Sequence, residues 1–157
     1  KKDFKTTTAS GGNALLHYAN FIFEFQGRYN KDLILEKPNE RYDEVKNKII
    51  GHEAKIIVRK SPNERTNTII TYPVKYGRKG GTSIWKEREI RDLMFEYGHF
   101  TKSGAWTSVD DSVIEEAKGY GVECPNKFQG LDSILKFMED NPKFVDVWYK
   151  KFKEVLT

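Results

Sequence analysis

Apolar positions along this chain fall into two regimes. Before residue 77 they come in short dense runs; after it they recur at helical spacing. Phe21-Ile22-Phe23-Glu24-Phe25 is aromatic and β-branched, too short for a helix of its own, and predicts a buried strand. Glu53 to Lys60 predicts a second strand, and Asn67 to Tyr76 a third. Pro73 removes a backbone donor from that third run, so it is expected at an edge or a bulge. Ahead of these, Asn13 to about Asn20 reads as a short helix, with Asn13 able to cap it. Residues 27–50 are polar and charged, contain Pro38, and read as a surface excursion with a helical turn around Tyr42 to Ile50. Ser61-Pro62-Asn63-Glu64 is turn chemistry.

Gly77-Arg78-Lys79-Gly80-Gly81 breaks the pattern, and a domain boundary is placed there: 1–80 and 81–157. Trp85, Ile90, Leu93 and Met94 then mark one face of a helix over Trp85 to Tyr97, capped by Ser83 and stopped by Gly98. A short strand is expected around Trp106, then a short helix from Val113 to Ala117. Gly119 to Gly130 reads as loop. Helices are expected over Leu131 to Glu139 and Phe144 to Leu156, separated by Asn141-Pro142. The first unit has too few elements to cover both faces of a sheet. It therefore implies either pairing with another copy or membership of a longer polypeptide.

Composition narrows the class. The 157 residues are 38% hydrophobic and 32% charged, as in a globular protein. No apolar run approaches the length of a membrane span, and Lys1-Lys2-Asp3 leads into threonines rather than an apolar stretch, so no signal peptide is expected. Cys124 is the sole cysteine, which excludes an intrachain disulfide and favours a cytoplasmic setting. The net charge of +4 is uneven: residues 1–80 hold 16 Lys and Arg against 9 Asp and Glu, whereas 81–157 hold 11 against 14. The first half is the better candidate to face phosphate.

The stretch from Thr6 to Asn13 carries the first chemical signal. Three threonines lead to Gly11-Gly12 and then to the capping Asn13. Hydroxyls, close-approaching glycine backbone and a helix N-terminus suit a phosphate; a flexible tail running into a capped helix is the plainer alternative. Together with Gly51 to Gly77, Glu89-Ile90-Arg91-Asp92-Leu93, Lys102-Ser103-Gly104-Ala105-Trp106-Thr107-Ser108, Gln129-Gly130 and Asp140-Asn141-Pro142, in that order, the chain resembles the carboxy-terminal half of RecA-type recombinases. The likeness spans nearly the whole chain except 27–50. The departures suggest a divergent member, from a bacterium or a phage, with phage the favoured source. The implied fold is α/β: the last strands of a RecA-like nucleotide-binding sheet, followed by a small α+β carboxy-terminal domain.

The resemblance also implies site residues. Thr6, Thr7, Thr8, Gly11, Gly12 and Asn13 fall on positions that hold the backbone of single-stranded DNA without reading bases. Lys60 falls on a lysine that reaches the γ-phosphate of ATP held by a neighbouring subunit, where a cation stabilises transferred charge. Read alone, it is a solvated lysine at a strand end. A second basic residue is usual two positions on; here it is Pro62, with Arg59 and Arg65 as substitutes. Tyr76 and Gly77 fall on an adenine-covering pair. Lys102 falls on a lysine that gathers duplex DNA, and Leu131 on another basic position, with Lys127 and Lys136 nearby. Trp106 is read as packing, and His17 stands where an interface phenylalanine is usual. ATP and Mg²⁺ are expected in the complete protein, with DNA and neighbouring filament subunits as partners. The sequence lacks a Gly-x-x-x-x-Gly-Lys-[Ser/Thr] phosphate loop, so no ATPase activity is expected of this chain alone. The alternative is a free-standing, non-catalytic module that binds DNA or regulates filaments.

Overall fold

The computed structural model describes residues 17–62 and 65–156. They form a mixed α/β fold that separates into two compact units, 1–72 and 73–157.

The first unit is built on one long strand. Strand β3 (Ile49–Lys60) pairs antiparallel with β1 (Ile22–Phe25) along its second half and with β2 (Leu33–Leu35) along its first, while β4 (Thr68–Lys75) also pairs with it. The register sets Phe25 against Ile56 and Leu33 against His52. Strand β3 begins four residues before the predicted start, because Ile49 and Ile50 find a partner in β2. That strand had no place in the sequence reading of 27–50. The expected helical turn over Tyr42 to Ile50 is replaced by a tight loop: Asp43 and Asn47 exchange backbone hydrogen bonds, and Asp43 Oδ1 accepts from the amides of Val45 and Lys46. Asn47 is 1% exposed and ties the loop together.

Strand β1 forms as expected but is not buried. Phe21, Phe23 and Phe25 are each at least half exposed, since side chains alternate along a strand and no described layer covers this face. Among the described residues the first unit buries little apolar surface beyond Val58. Polar contacts anchor it instead. Asp32 is nearly inaccessible, accepts from the amide of Tyr29 and forms an ion pair with Lys55. That hydrogen bond from Lys55 holds the Asp32 carboxyl below its ordinary range.

The second unit holds the main core. Helix α1 (Lys86–Glu96) leads to the hairpin β5 (Phe100–Ser103) and β6 (Trp106–Val109). Helix α2 (Asp111–Gly119) follows, then β7 (Lys127–Gln129), α3 (Gly130–Asp140) and α4 (Pro142–Leu156). The sheet order is β5-β6-β7. Helix α1 starts after Trp85 rather than under a Ser83 cap, and its entry has no side-chain cap. Its end matches expectation: Gly98 takes φ 76°, which only glycine adopts at low cost. Asp110 caps α2 by accepting from the amide of Ser112. Strand β7 lies inside the stretch read as loop; three residues are too few to show a period. Met94, Val113, Ala117, Ile134, Met138 and Phe144 are fully buried. Trp148 stacks within a run of rings that includes Phe144 and Phe152.

Candidate nucleotide and nucleic-acid contact sites

In the first unit, Lys60 ends β3 opposite Ile22, and its Nζ donates to the carbonyl of His17 at 3.2 Å. Its neighbour Arg59 is engaged: Nε donates to Glu24 at 2.5 Å and Nη1 to Asn67 Oδ1 at 2.8 Å. The hydrogen bond from Arg59, seconded by Gln26, lowers the Glu24 carboxyl pKa, while Glu24 raises that of Arg59. Arg59, one of the residues read as a substitute for a second base at position 62, is held in place by these two bonds. Thr6, Thr7, Thr8, Gly11, Gly12 and Asn13 lie outside the described residues.

Tyr76 and Gly77 belong to the second unit. Strand β4 ends at Lys75, the chain reverses through Gly77, Gly80 and Gly81, all at positive φ, and it returns beside itself. Lys75 N donates to Ser83 O at 2.8 Å, and Trp85 N to Pro73 O at 2.9 Å. This turn opens on a cleft of about 500 Å³ lined by Lys75, Tyr76, Gly77, Arg78, Lys79, Thr82, Glu87 and Glu139. Arg78 donates to Glu87 at 2.9 Å and to Glu139 at 3.1 Å, and Lys75 pairs with Glu139 as well. The bridges fasten the turn to α1 and α3. Tyr76 is 38% exposed at the mouth of this turn. Lys79 adds a further cation to the lining. The cleft thus sets an aromatic ring and a glycine turn beside cations, of which Lys75 and Arg78 are paired with carboxylates of the same lining.

Lys102 stands in a second, smaller cleft of about 240 Å³, with Gly104, Ala105, Thr107, Gln129, Gly130 and Leu131. The β5–β6 turn passes through Gly104 at φ 61°, and Gly130 N donates to Ala105 O at 2.9 Å. This bond sets the N-terminus of α3 against the hairpin turn. A lysine beside the positive end of a helix dipole favours an anion. Leu131, at the first turn of α3, is 39% exposed and supplies no charge. Lys127 lies on the other face of the sheet from Lys102, and Lys136 on α3 is exposed. The two clefts stand at opposite ends of α3: Glu139 lines one, while Gly130 and Leu131 line the other.

No family model matches the chain. Among curated proteins, Protein RecA of Allochromatium vinosum is 29% identical over 135 residues, covering 86% of this chain and 30% of the relative. Protein RecA of Rickettsia bellii is 26% identical over 149 residues, covering 94% and 34%. The chain is similar to RecA. Protein RecA of Pseudomonas fluorescens, 26% identical over 151 residues, extends the match to 95% of this chain and again 34% of the relative. The chain therefore spans about a third of the length of the RecA proteins it matches. Among the described residues no helix is long and apolar enough to cross a membrane, and no cluster of His, Cys, Asp and Glu is arranged to hold a metal ion.

The sequence reading missed the Arg78 bridges, because Glu139 is 61 residues from Arg78 in the chain and both Glu87 and Glu139 are typical solvated helix residues by type. It also took Trp106 for packing, whereas the residue is 49% exposed on the sheet. A signal was available there: Trp106 is followed by Thr107, Ser108 and Val109, whose alternation places the tryptophan opposite the buried Thr107 and Val109.

Proposed function

We propose that the chain is the DNA-contacting and neighbour-contacting carboxy-terminal part of a RecA-like homologous-recombination protein, a DNA-dependent ATPase of the cytoplasm that forms filaments on single strands and exchanges them. The observation that supports this most is the RecA likeness running through 86–95% of the chain. In this reading Thr6, Thr7, Thr8, Gly11, Gly12 and Asn13 hold the single strand, and Lys102 draws duplex DNA towards it. Tyr76 and Gly77 cover the adenine of a nucleotide gripped by the adjoining subunit, and Lys60 meets its γ-phosphate. Bound ATP with Mg²⁺ would supply the transferable phosphoryl group. Lys60 would offer a fixed cation where charge develops during transfer.

The test is DNA binding by the chain across a salt series. Affinity should fall steeply with salt, and Lys102→Ala should reduce the log–log slope by about one for a duplex. A flat salt response would refute the DNA contacts. In the complete protein, Lys60→Ala should abolish DNA-stimulated ATP hydrolysis while single-strand binding persists.

A second reading is a free-standing non-catalytic DNA-binding or filament-regulating module, which the lack of a phosphate loop in these 157 residues would favour only if they were the whole product. The mass of the native product decides between the two. A product well above 18.3 kDa supports the enzyme, and one of 18.3 kDa supports the module.

A further inference from the structure

The three tryptophans of the chain differ sharply in setting. Trp85 and Trp148 are each 4% exposed and carry cation–π contacts, from Lys75 and Arg88 in one case and from Lys151 in the other. Trp106 is 49% exposed. The register explains where it points. Phe100, Val109, Thr107 and Phe128 share the inner face of the β5-β6-β7 sheet and are all buried. The alternate residues form the outer face. There Ser103 and Gln129 are the direct cross-strand partners of Trp106, and Thr101, Ser108 and Lys127 make the next row. The outer face is thus one large ring among hydroxyls, an amide and a lysine.

Its charge has one sign. No Asp or Glu occurs from Phe100 to Val109 or from Cys124 to Leu131, although 81–157 as a whole is acidic. The first acid after β6, Asp110, is committed to capping α2 through Ser112. The face also adjoins the Lys102 cleft, since Ala105 and Gln129 line that cleft and flank Trp106 along and across the strands.

We propose that this outer face is a stacking platform for an unpaired base of single-stranded nucleic acid. Trp106 supplies the ring, Gln129 and Ser103 meet the polar edge of the base, and Lys127 meets the backbone on the same face. An aromatic ring on an open sheet face, ringed by small polar groups and free of acids, accepts any base through its π-face. A protein partner would favour a broader apolar surface than one ring among hydroxyls. The inference deepens the DNA-contact reading of this unit and rests on it.

The test uses the full chain and three labelled probes of one length: an oligodeoxyadenylate, an abasic strand and a duplex. Trp106→Ala should weaken the oligodeoxyadenylate about tenfold, while abasic and duplex affinities stay within about twofold. Trp106→Phe should retain most of the affinity. Oligodeoxyadenylate should also quench the tryptophan emission of the wild type, and that quench should vanish in the Phe variant. Equal losses on all three probes, or no loss on any, would overturn the proposal. Lys102-dependent duplex binding with no effect of Trp106 on single strands would overturn it alone. Failure of every probe to bind would overturn it together with the DNA reading.

Discussion

Asn47 offers the sharpest test of how the 27–50 excursion is held. Its side chain is 1% exposed and bonds only to backbone. Oδ1 accepts from the amide of Lys37 at 2.8 Å, and Nδ2 donates to the carbonyls of Lys37, Glu40 and Arg41 at 3.0, 3.2 and 3.1 Å. One side chain therefore closes the loop from Lys37 to Asn47. Asn47→Ala removes all of these bonds. Glu40 and Arg41 are exposed, so their carbonyls turn to water at small cost. The paired bonds to Lys37 are the ones lost, at ~1 kcal/mol each, giving ~2 kcal/mol in all. In amide hydrogen exchange this is about a thirtyfold faster exchange at Lys37, with no change at amides of the β5–β6 ladder. Asn47→Asp sharpens the test. At neutral pH its carboxylate faces three carbonyl oxygens and should destabilise the loop at least as much as alanine. It should recover part of the loss in acid, once a protonated oxygen can donate. An unchanged rate at Lys37 in the alanine variant would refute the reasoning.

The core makes its own prediction: Phe144→Ala should cost ~3–5 kcal/mol in urea unfolding followed by tryptophan emission, and a shift no larger than the ~0.5 kcal/mol of a surface change would refute it. Asp32 predicts a pH dependence. Its folded pKa lies below the ordinary 3.8, so its contribution is present above that value and lost as pH falls through the depressed one. The stability gap between wild type and Asp32→Asn, measured by urea titration, should therefore be wide at neutral pH and narrow in acid; a gap that widens in acid would contradict the Lys55 pairing. Burial pushes the Cys124 thiol up to about 11, so a thiol reagent at mildly alkaline pH should react only as fast as the second unit opens. Reaction on mixing would show the thiol to be accessible.

Legibility followed the length of each period. Helices α1, α3 and α4 repeat their apolar positions over three or four turns and were readable, as was the pair of long strands β3 and β4. Strands β2 and β7 have three residues each, too few to show alternation, and form because β3 and β6 present open edges to them. The burial of β1 was misread because its aromatic richness signals strand but not which layer covers it. Lys60, Tyr76, Gly77 and Lys102 were reached through resemblance, for nothing in their local pattern separates them from solvated strand-end and turn residues. Fold geometry then added what pattern could not: Tyr76 and Gly77 open on one cleft, Lys102 on another, and Arg59 is bound to Glu24.

Helix α3 has consequences beyond packing. Eleven residues at 1.5 Å each make a rod ~16 Å long, stiff on the scale of side-chain motion. Its two tips furnish different clefts, so the clefts share one element. Glu139 at one tip accepts from Arg78, and Gly130 at the other donates to Ala105 in the turn beside Lys102. If filling the Tyr76 cleft changes affinity at Lys102 by some factor, filling the Lys102 cleft must change affinity at Tyr76 by that same factor.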